Sequence, residues 1–321
     1  MRRWIAVGFA ITLAIGIMGL SSNEAAEPEA SEWKPTWSDE FKGNAIDPIN
    51  WDFDIGNGFY EYGANQWISG WGNNELQYYT RDEGNAFVRG GMLHIRVLKE
   101  SLHNCGYTSA RMKTRNKLGA ALFAQRYGKF EIRARLPTGQ GIWPAIWMLP
   151  AQEKYGGWAS SGEIDIMEAR GQRPNEVLGT LHFGSRWPAN TEVSSTHLFP
   201  KGESISDFHT YALEWEPSEI RWLVDGKLFA RKSFWWSSSK VEGGKGQMPK
   251  KEGDLNPWPA PFDQPFYLIL NVAVGGKFPG NPDATTKFPA EMVIDYVRAY
   301  EKVGGYGKPQ PRGEGKLPFA P

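Results

Sequence analysis

Short runs in which apolar and polar residues alternate constrain most strongly what this chain can fold into. Residues 130–136 have the sequence Phe-Glu-Ile-Arg-Ala-Arg-Leu, and further strand-like runs occupy 92–98, 220–224, 267–274 and 292–300. A period of two residues is typical of a β-strand with one buried face. Beyond the amino terminus, no long window shows the 3.6-residue period of a helix. The sequence therefore predicts an all-β protein.

Two further features place these strands in one large sandwich. The Asp225-Gly226 pair directly follows the run at 220–224, and it favours a tight hairpin because both positions tolerate positive φ. No break in composition interrupts residues 33–302. Many short strands in one uninterrupted domain predict two packed antiparallel sheets.

The amino terminus has the pattern of a secretory signal peptide. Arg2 and Arg3 precede an uncharged apolar run from Trp4 to Leu20. An uncleaved membrane anchor is the alternative, although the run is short for a membrane span. Because a signal peptide is removed on export, we expect a secreted protein, extracellular or periplasmic, without stable membrane insertion.

These patterns divide the chain into four segments. We expect a signal peptide at residues 1–26 with its cleavage site left open, a short linker at 27–32, one large domain at 33–302 and a Gly- and Pro-rich tail at 303–321.

Composition excludes several classes of function. Lys plus Arg and Asp plus Glu both number 36, so the formal net charge is zero, and we expect no nucleic-acid partner. Cys105 is the only cysteine, which excludes an intramolecular disulfide and a multi-cysteine zinc site. The chain has 15 Trp, 12 Tyr and 17 Phe. So many aromatic rings favour a surface that binds other rings, such as sugars.

An alternating cluster of acids marks the candidate site. Residues 161–170 have the sequence Ser-Gly-Glu-Ile-Asp-Ile-Met-Glu-Ala-Arg. A regular strand places Glu163 and Asp165 on one face and Glu168 on the other. One extra residue, a β-bulge near Ile166 and Met167, would return Glu168 to the first face.

Three acids on one face repel one another, which raises the pKa of at least one and is typical of a functional site. A solvated edge strand and a calcium site built from carboxylates are the alternatives.

Two carboxylic acids in different ionisation states are what hydrolysis of a glycosidic bond requires. One attacks the anomeric carbon as a carboxylate, and the other gives its proton to the leaving oxygen. A retaining enzyme holds the two carboxyl groups about 5–5.5 Å apart, so Glu163 and Glu168 would need both the bulge and a concave sheet. The charge of Glu163, with Asp165 nearby, is expected to raise the pKa of Glu168.

The pattern Glu163-x-Asp165-x-x-Glu168 resembles the active-site signature of glycoside hydrolase family 16. The form with the extra residue is similar to that of the laminarinase-like endo-β-1,3-glucanases. Further matches to the family lie at Trp37–Phe41, Trp71–Tyr79, Tyr107–Arg111, Gly141–Trp147 and Ile294–Arg298. The resemblance covers residues 35–302 and implies a catalytic domain with a concanavalin-like β-jelly-roll, in which two curved antiparallel sheets form a concave substrate cleft. It implies that Glu163 is the nucleophile, Glu168 the acid/base and Asp165 their helper.

Six other residues are candidates for substrate binding: Trp143, Trp147, Arg111, His182, Asn57 and Trp158. By composition alone the first two could be core residues, but the resemblance favours stacking of Trp143 and Trp147 on sugar rings. Arg111 and Asn57 resemble donors to sugar hydroxyls, and a turn role for Asn57 is equally open. We interpret His182 as a donor that tunes the acids, with a satisfied buried histidine as the alternative.

The resemblance also implies a structural calcium ion on the convex side, bound by Glu40, Gly84 and Asp295. Oxygen ligands of this kind are what calcium prefers, and a salt bridge from Asp295 is the alternative. No cofactor is expected for the chemistry itself.

The sequence thus predicts a secreted, monomeric, retaining endo-β-1,3-glucanase that acts on laminarin-type glucan through a covalent glycosyl-enzyme intermediate. One alternative is a relative that acts on mixed-linkage glucan or a marine galactan. Another is a non-catalytic β-glucan-binding protein, against which the presence of both Glu163 and Glu168 argues.

Overall fold

The computed structural model describes Met1, residues 32–61 and residues 65–319. Chain contacts separate a unit Met1–Ser31 from a unit Glu32–Pro321, and the fold lies in the second. Apart from Met1, the predicted signal peptide lies outside the described residues, as does most of the linker. No helix among the described residues is long and apolar enough to cross a membrane.

Strands account for almost all the regular structure of the described residues, together with two short 3-10 helices at Gly70–Gly72 and Glu252–Asp254. In chain order the strands are β1 (Trp33–Asp39), β2 (Asp52–Asp54), β3 (Gly58–Glu61), β4 (Gln66–Ser69), β5 (Gln77–Tyr79), β6 (Ala86–Arg89), β7 (Met92–Val97), β8 (Tyr107–Ser109), β9 (Arg111–Lys113), β10 (Gly128–Arg135), β11 (Ile142–Pro150), β12 (Glu163–Glu168), β13 (Glu176–Gly184), β14 (Asn190–Leu198), β15 (His209–Glu216), β16 (Glu219–Val224), β17 (Lys227–Lys232), β18 (Val241–Glu242), β19 (Lys245–Gly246), β20 (Phe266–Val274) and β21 (Ala290–Lys302).

Two large antiparallel sheets form the sandwich. The outer sheet has the order β17-β16-β15-β10-β21-β7-β6, with β1 paired to β21. The cleft sheet has the order β14-β13-β12-β11-β20-β9-β2 and contains the acid cluster on β12. This is the predicted β-jelly-roll, so the fold class is confirmed.

The core lies between the two sheets, as the alternating patterns predict. On β10, Phe130, Ile132 and Ala134 are fully buried, and the charged residues between them face outward. β20 differs because all nine of its residues are buried. A central strand covered on both faces has a nearly continuous apolar sequence instead of an alternating one.

The Asp225-Gly226 turn is also confirmed. Val224 pairs with Lys227, so the two residues between them form the whole hairpin loop from β16 to β17. Their φ angles are 49° and 72°, the left-handed values that such a loop requires.

The carboxy-terminal segment packs against the sandwich as far as residue 319. The indole of Trp258 donates to the carbonyl of Gln310 at 2.8 Å, and the amide of Gly313 donates to the carbonyl of Ser233 at 2.8 Å. The Gly- and Pro-rich composition predicted a tail, and main-chain hydrogen bonds hold this tail in place.

One contact joins the two sheets beneath the acid cluster. Trp222 of the outer sheet is buried, and its indole donates to the main-chain carbonyl of Asp165 on β12 at 2.8 Å. Gly179 on β13 makes room for the indole, because a Cβ at this position would lie 2.4 Å from a ring carbon of Trp222. The close approach of this glycine is therefore a condition for the hydrogen bond.

Gly179→Ala should therefore lower the unfolding free energy by about 1–3 kcal/mol, the usual cost of overpacking a core. Denaturant unfolding of the two proteins measures the difference. Gly253→Ala is the matched control, because a Cβ there meets no atom within 4 Å. Equal losses in the two variants would contradict the proposed clash with Trp222.

Candidate active site

The predicted bulge is present in β12. On the β11 side, the neighbours Ile146 and Trp147 pair with Met167 and Asp165, so Ile166 has no partner. The pairing with β13 shifts over the same stretch. The extra residue moves the side chains that follow it to the opposite face of the sheet from the one they would occupy in a regular strand, as the sequence predicted.

The bulge brings three carboxylates to one face of the cleft sheet. Glu163 and Glu168, at the two ends of β12, are partly exposed, and Asp165 between them is 2% exposed. The apolar residues of the strand, Ile164, Ile166 and Met167, belong to the core. The strand therefore separates acids from apolar side chains along its whole length.

Two indole N–H groups hold the outer carboxylates. Trp158 donates to Glu163 at 2.8 Å, and Trp143 donates to Glu168 at 3.0 Å. Both tryptophans were predicted as substrate-binding residues, and the structure brings both to the acids. Each donor restricts the rotation of the carboxylate that it contacts.

His182 lies beside the acids from β13, where it pairs directly with Glu163. Its Nε2 is 3.2 Å from Oδ2 of Asp165 and 3.7 Å from Oε1 of Glu163. The contact with Asp165 is an ion pair without an aligned hydrogen bond, since Oδ2 has no donor. The predicted proximity of His182 to the acids is confirmed.

The carboxylates keep His182 charged. Burial, the largest single influence, lowers the pKa of His182, but Glu163, Asp165 and Glu168 outweigh it and raise the pKa to about 10. A cation therefore stands among three acids at neutral pH.

Burial is the main cause that raises the pKa of all three carboxyl groups. Burial and then the charge of Asp165 raise the pKa of Glu168 to about 8. Burial and then the charge of Glu163 raise the pKa of Asp165 to about 7. For Glu163, burial raises the pKa, while the charge of His182 and the hydrogen bond from Trp158 lower it. The expected repulsion within the cluster is present, since the charge of Asp165 raises the pKa of Glu168 and the charge of Glu168 raises that of Glu163. Burial, which the sequence analysis did not include, is the larger cause.

Of the remaining predicted substrate-binding residues, Trp147 and Arg111 contact each other, and Asn57 lies at a separate cavity. Trp147 donates to Oδ1 of Asn271 at 2.7 Å, and Arg111 lies over its ring with the guanidinium carbon 4.7 Å from the centroid. Asn57 instead lines a cavity of about 410 Å³ together with Glu75. Its main-chain carbonyl accepts from Gly70 at 2.7 Å, which agrees with the turn role left open above.

Asn271 is a residue that the sequence analysis missed. It is 6% exposed and links Trp147 to the hydroxyl of Tyr79, to which its amide donates at 3.0 Å. The signal was available: Asn271 is the only polar residue in the otherwise hydrophobic run from Phe266 to Val274, apart from the Tyr267 hydroxyl. A buried amide in such a run needs a partner, which points to a network.

Two groups of residues are candidates for binding a metal ion: the acid cluster with His182, and the predicted calcium site. Ligand atoms of Glu163, Asp165 and His182 all lie within 4.8 Å of one another, the one such group found in the described ranges. A metal there would first have to displace the proton that holds His182 as a cation.

The residues of the predicted calcium site are paired with arginines. Both oxygens of Glu40 accept from Arg298, at 2.8 and 2.9 Å, and Asp295 lies 2.5 Å from Arg133. The salt bridge that was the alternative for Asp295 is therefore present. As placed, these carboxylates do not fit a cation, and calcium binding with Gly84 stays a prediction that requires both pairs to open.

Several known proteins are similar to this chain. Residues 99–252 match the sequence model described as Glycosyl hydrolases family 16. Glucan endo-1,3-beta-glucosidase A1 of Niallia circulans is 39% identical over an alignment of 295 residues that covers 88% of this chain and 40% of that protein. The beta-glucanase of Rhodothermus marinus is 42% identical over an alignment of 312 residues that covers 94% of this chain and 96% of that protein. Among solved structures, the laminarinase catalytic domain of Thermotoga maritima MSB8 is 43% identical, with a TM-score of 0.67 over 84% of this chain and 98% of that one.

The raised pKa of Glu168 predicts a loss of stability at higher pH. Its pKa is about 8 in the folded protein and about 4.3 in an unfolded chain, so the folded state binds more protons between these values. For each extra proton that the folded state binds, the unfolding free energy falls by about 1.4 kcal/mol for every unit by which the pH rises. Glu168→Gln removes this contribution, and its unfolding free energy should fall less steeply than that of the wild type.

Urea unfolding from about pH 5 to about pH 8 measures the two slopes. Glu83→Gln is the control, because Glu83 is an exposed carboxylate, and it should keep the wild-type slope. Identical slopes for the wild type and Glu168→Gln would rule out the raised pKa.

Proposed function

The chain belongs to glycosyl hydrolase family 16, and from this premise we propose that it is a secreted endo-β-1,3-glucanase that retains the anomeric configuration. One observation carries the proposal: the bulge of β12 gathers Glu163, Asp165 and Glu168 on one face beside a charged histidine. Double displacement requires two carboxyl groups in different ionisation states, and here the two outer acids have different partners.

In the first step, Glu163 attacks the anomeric carbon as a carboxylate. The indole of Trp158 and the cation of His182 favour its charged form, which opposes the effect of burial. As the carbon–oxygen bond to Glu163 forms, the bond to the leaving oxygen breaks. Glu168, whose pKa of about 8 keeps it protonated at neutral pH, gives its proton to that oxygen.

In the second step, Glu168 acts as the base. Having given up its proton, it takes one from a water molecule whose oxygen attacks the same carbon. The ester bond then breaks, and Glu163 returns as a carboxylate. Asp165, with a pKa of about 7, gives Glu163 a hydrogen-bonding neighbour in its protonated form. The two inversions together retain the configuration.

The names of the similar proteins support β-1,3-glucan as substrate, since they include a glucan endo-1,3-beta-glucosidase and a laminarinase. We assign the sugar-contacting surface to Trp143, Trp147 and Arg111, which lie on the same sheet as the acids. Indole faces suit the C–H faces of pyranose rings.

Three further properties belong to the same proposal. The apolar run after Arg2 and Arg3 supports secretion through a signal peptide. We assign the chemistry to the carboxylates alone, without a cofactor, because the acid, base and nucleophile are all supplied by the chain. We also propose a monomer as the active species.

Purified protein should release short oligosaccharides from laminarin, and little from agarose, carrageenan or lichenan. NMR of the first products should show the β-anomer before mutarotation, because double displacement retains the configuration. The same assay with a chelator should give an unchanged rate.

Initial release of the α-anomer would overturn the assigned roles. Preference for lichenan or a galactan would overturn the assignment of β-1,3-glucan as substrate, while the proposed mechanism would stand. Loss of activity on chelation with an unchanged unfolding transition, restored by a divalent cation, would contradict chemistry without a cofactor.

Glu168→Ala should lower turnover of laminarin by about 10²–10⁴-fold, the usual contribution of a general acid/base. With an activated aryl β-glucoside of laminari-oligosaccharides, azide should restore part of the rate and appear in the product as a β-glycosyl azide. Azide needs no base, so it attacks the intermediate directly. Mass spectrometry and NMR identify the product.

Glu163→Gln is the matched control, because an amide cannot form the glycosyl ester. It should be inactive with and without azide while keeping the wild-type unfolding transition. Near-wild-type turnover in Glu163→Gln would sink the nucleophile assignment, and absence of the azide product in Glu168→Ala would sink that of the acid/base.

A further inference from the structure

Arg111 is held between two indole rings. Its guanidinium carbon lies 4.4 Å from the ring centroid of Trp71 and 4.7 Å from that of Trp147. A planar cation is attracted to the face of an indole, and here both of its own faces are covered. The two rings therefore set the plane in which the guanidinium lies.

Asp54 neutralises Arg111 but does not orient it. Nε of Arg111 lies 3.0 Å from Oδ2 of Asp54, yet its N–H has no aligned acceptor. The other oxygen of Asp54 contacts Lys113. Because a charge contact without an aligned hydrogen bond leaves rotation free, the direction of the guanidinium depends on the stacked rings.

A closed ring of contacts fixes the two indoles relative to each other. Trp147 donates to Asn271 at 2.7 Å, and Asn271 donates to the hydroxyl of Tyr79 at 3.0 Å. Tyr79 in turn packs on Trp71, with ring centroids 5.4 Å apart. Since Arg111 touches both Trp71 and Trp147, the ring closes through its guanidinium.

The backbone at Trp71 is unfavourable for a bulky residue. Its φ and ψ are 52° and 23°, between two glycines whose φ values are 58° and 82°. Left-handed values are rare for residues with a large side chain. The indole N–H is also buried without a partner among the described residues. A tryptophan at this position therefore stabilises neither the backbone conformation nor a hydrogen bond of its N–H. Its contribution comes from the face of the ring.

We propose that Trp71 is a positioning residue that fixes the plane of Arg111 and so directs its two terminal nitrogens toward a sugar hydroxyl. Within the described residues these nitrogens make no hydrogen bond, although the side chain is only 12% exposed. The inference rests on the proposed function, in which Arg111 contacts the substrate and Trp71 acts through it.

Steady-state kinetics on linear β-1,3-gluco-oligosaccharides test the proposal with three single variants. Trp71→Leu removes the ring and should raise KM about tenfold with a much smaller change in kcat, because a binding contact is lost. Trp71→Phe keeps a ring face and removes only the orphaned N–H, so it should recover most of the wild-type KM. Phe59→Leu is the matched control: Phe59 packs 6.2 Å from Trp71 without touching Arg111, and KM should stay at the wild-type value.

The double variant separates positioning from a general loss of structure. Trp71→Leu combined with Arg111→Ala should raise KM no further than Arg111→Ala alone, since Trp71 acts only through the guanidinium. Additive effects, or an equal KM for Trp71→Leu and Phe59→Leu, would overturn the proposal. If the wild type does not cleave laminarin, the proposed substrate fails, and the same variants are compared on the glycan that it does cleave. Cleavage of no glycan at all would overturn both.

Discussion

The hydrogen bond from Trp222 to the carbonyl of Asp165 is the contact on which the site depends. It crosses from the outer sheet to the strand that bears the acids, at the position where that strand bulges. Gly179 leaves the space that the indole fills. Without the bulge, Glu168 would point into the apolar core, where an unpaired carboxyl group is costly. The packing of the two sheets and the orientation of the acids therefore depend on the same contact.

Burial then sets the chemistry of the cluster. Water solvates the three carboxyl groups poorly, which raises the pKa of each, and the pKa of about 8 keeps Glu168 protonated at neutral pH. The cation of His182 limits the repulsion that would otherwise arise as the acids ionise. Indole donors from Trp143 and Trp158 contact one carboxylate each, so the outer acids differ in their partners. In the proposed double displacement, these neighbours supply the difference between the two outer acids.

Local sequence was enough to predict the strands, the Asp225-Gly226 turn and the bulge, because each depends on residues adjacent in the chain. The resemblance to a known family supplied the roles and the neighbours of the acids. The partners that arise from folding were not predictable: Asp165 and Trp222 are 57 positions apart. The arginine partners of Glu40 and Asp295 were not predictable for the same reason, since each pair joins residues far apart in the chain, although a salt bridge was the stated alternative for Asp295. Asn271 could have been found, because a buried amide in an apolar strand is a local signal.

Two residues of the proposed sugar-facing surface, Trp147 and Arg111, are held mainly by side chains other than the three acids. Asn271 holds Trp147, and Arg111 is paired with Asp54, although its charge also lowers the pKa of Glu163. Substitution of Glu163 would therefore remove the proposed nucleophile while the contacts of Trp147 with Asn271 and of Arg111 with Asp54 stayed in place. A relative that had lost this one acid would therefore still present the aromatic and basic side chains suited to carbohydrate binding. A duplicated copy of the gene could begin to diverge toward carbohydrate sensing before its fold had changed at all.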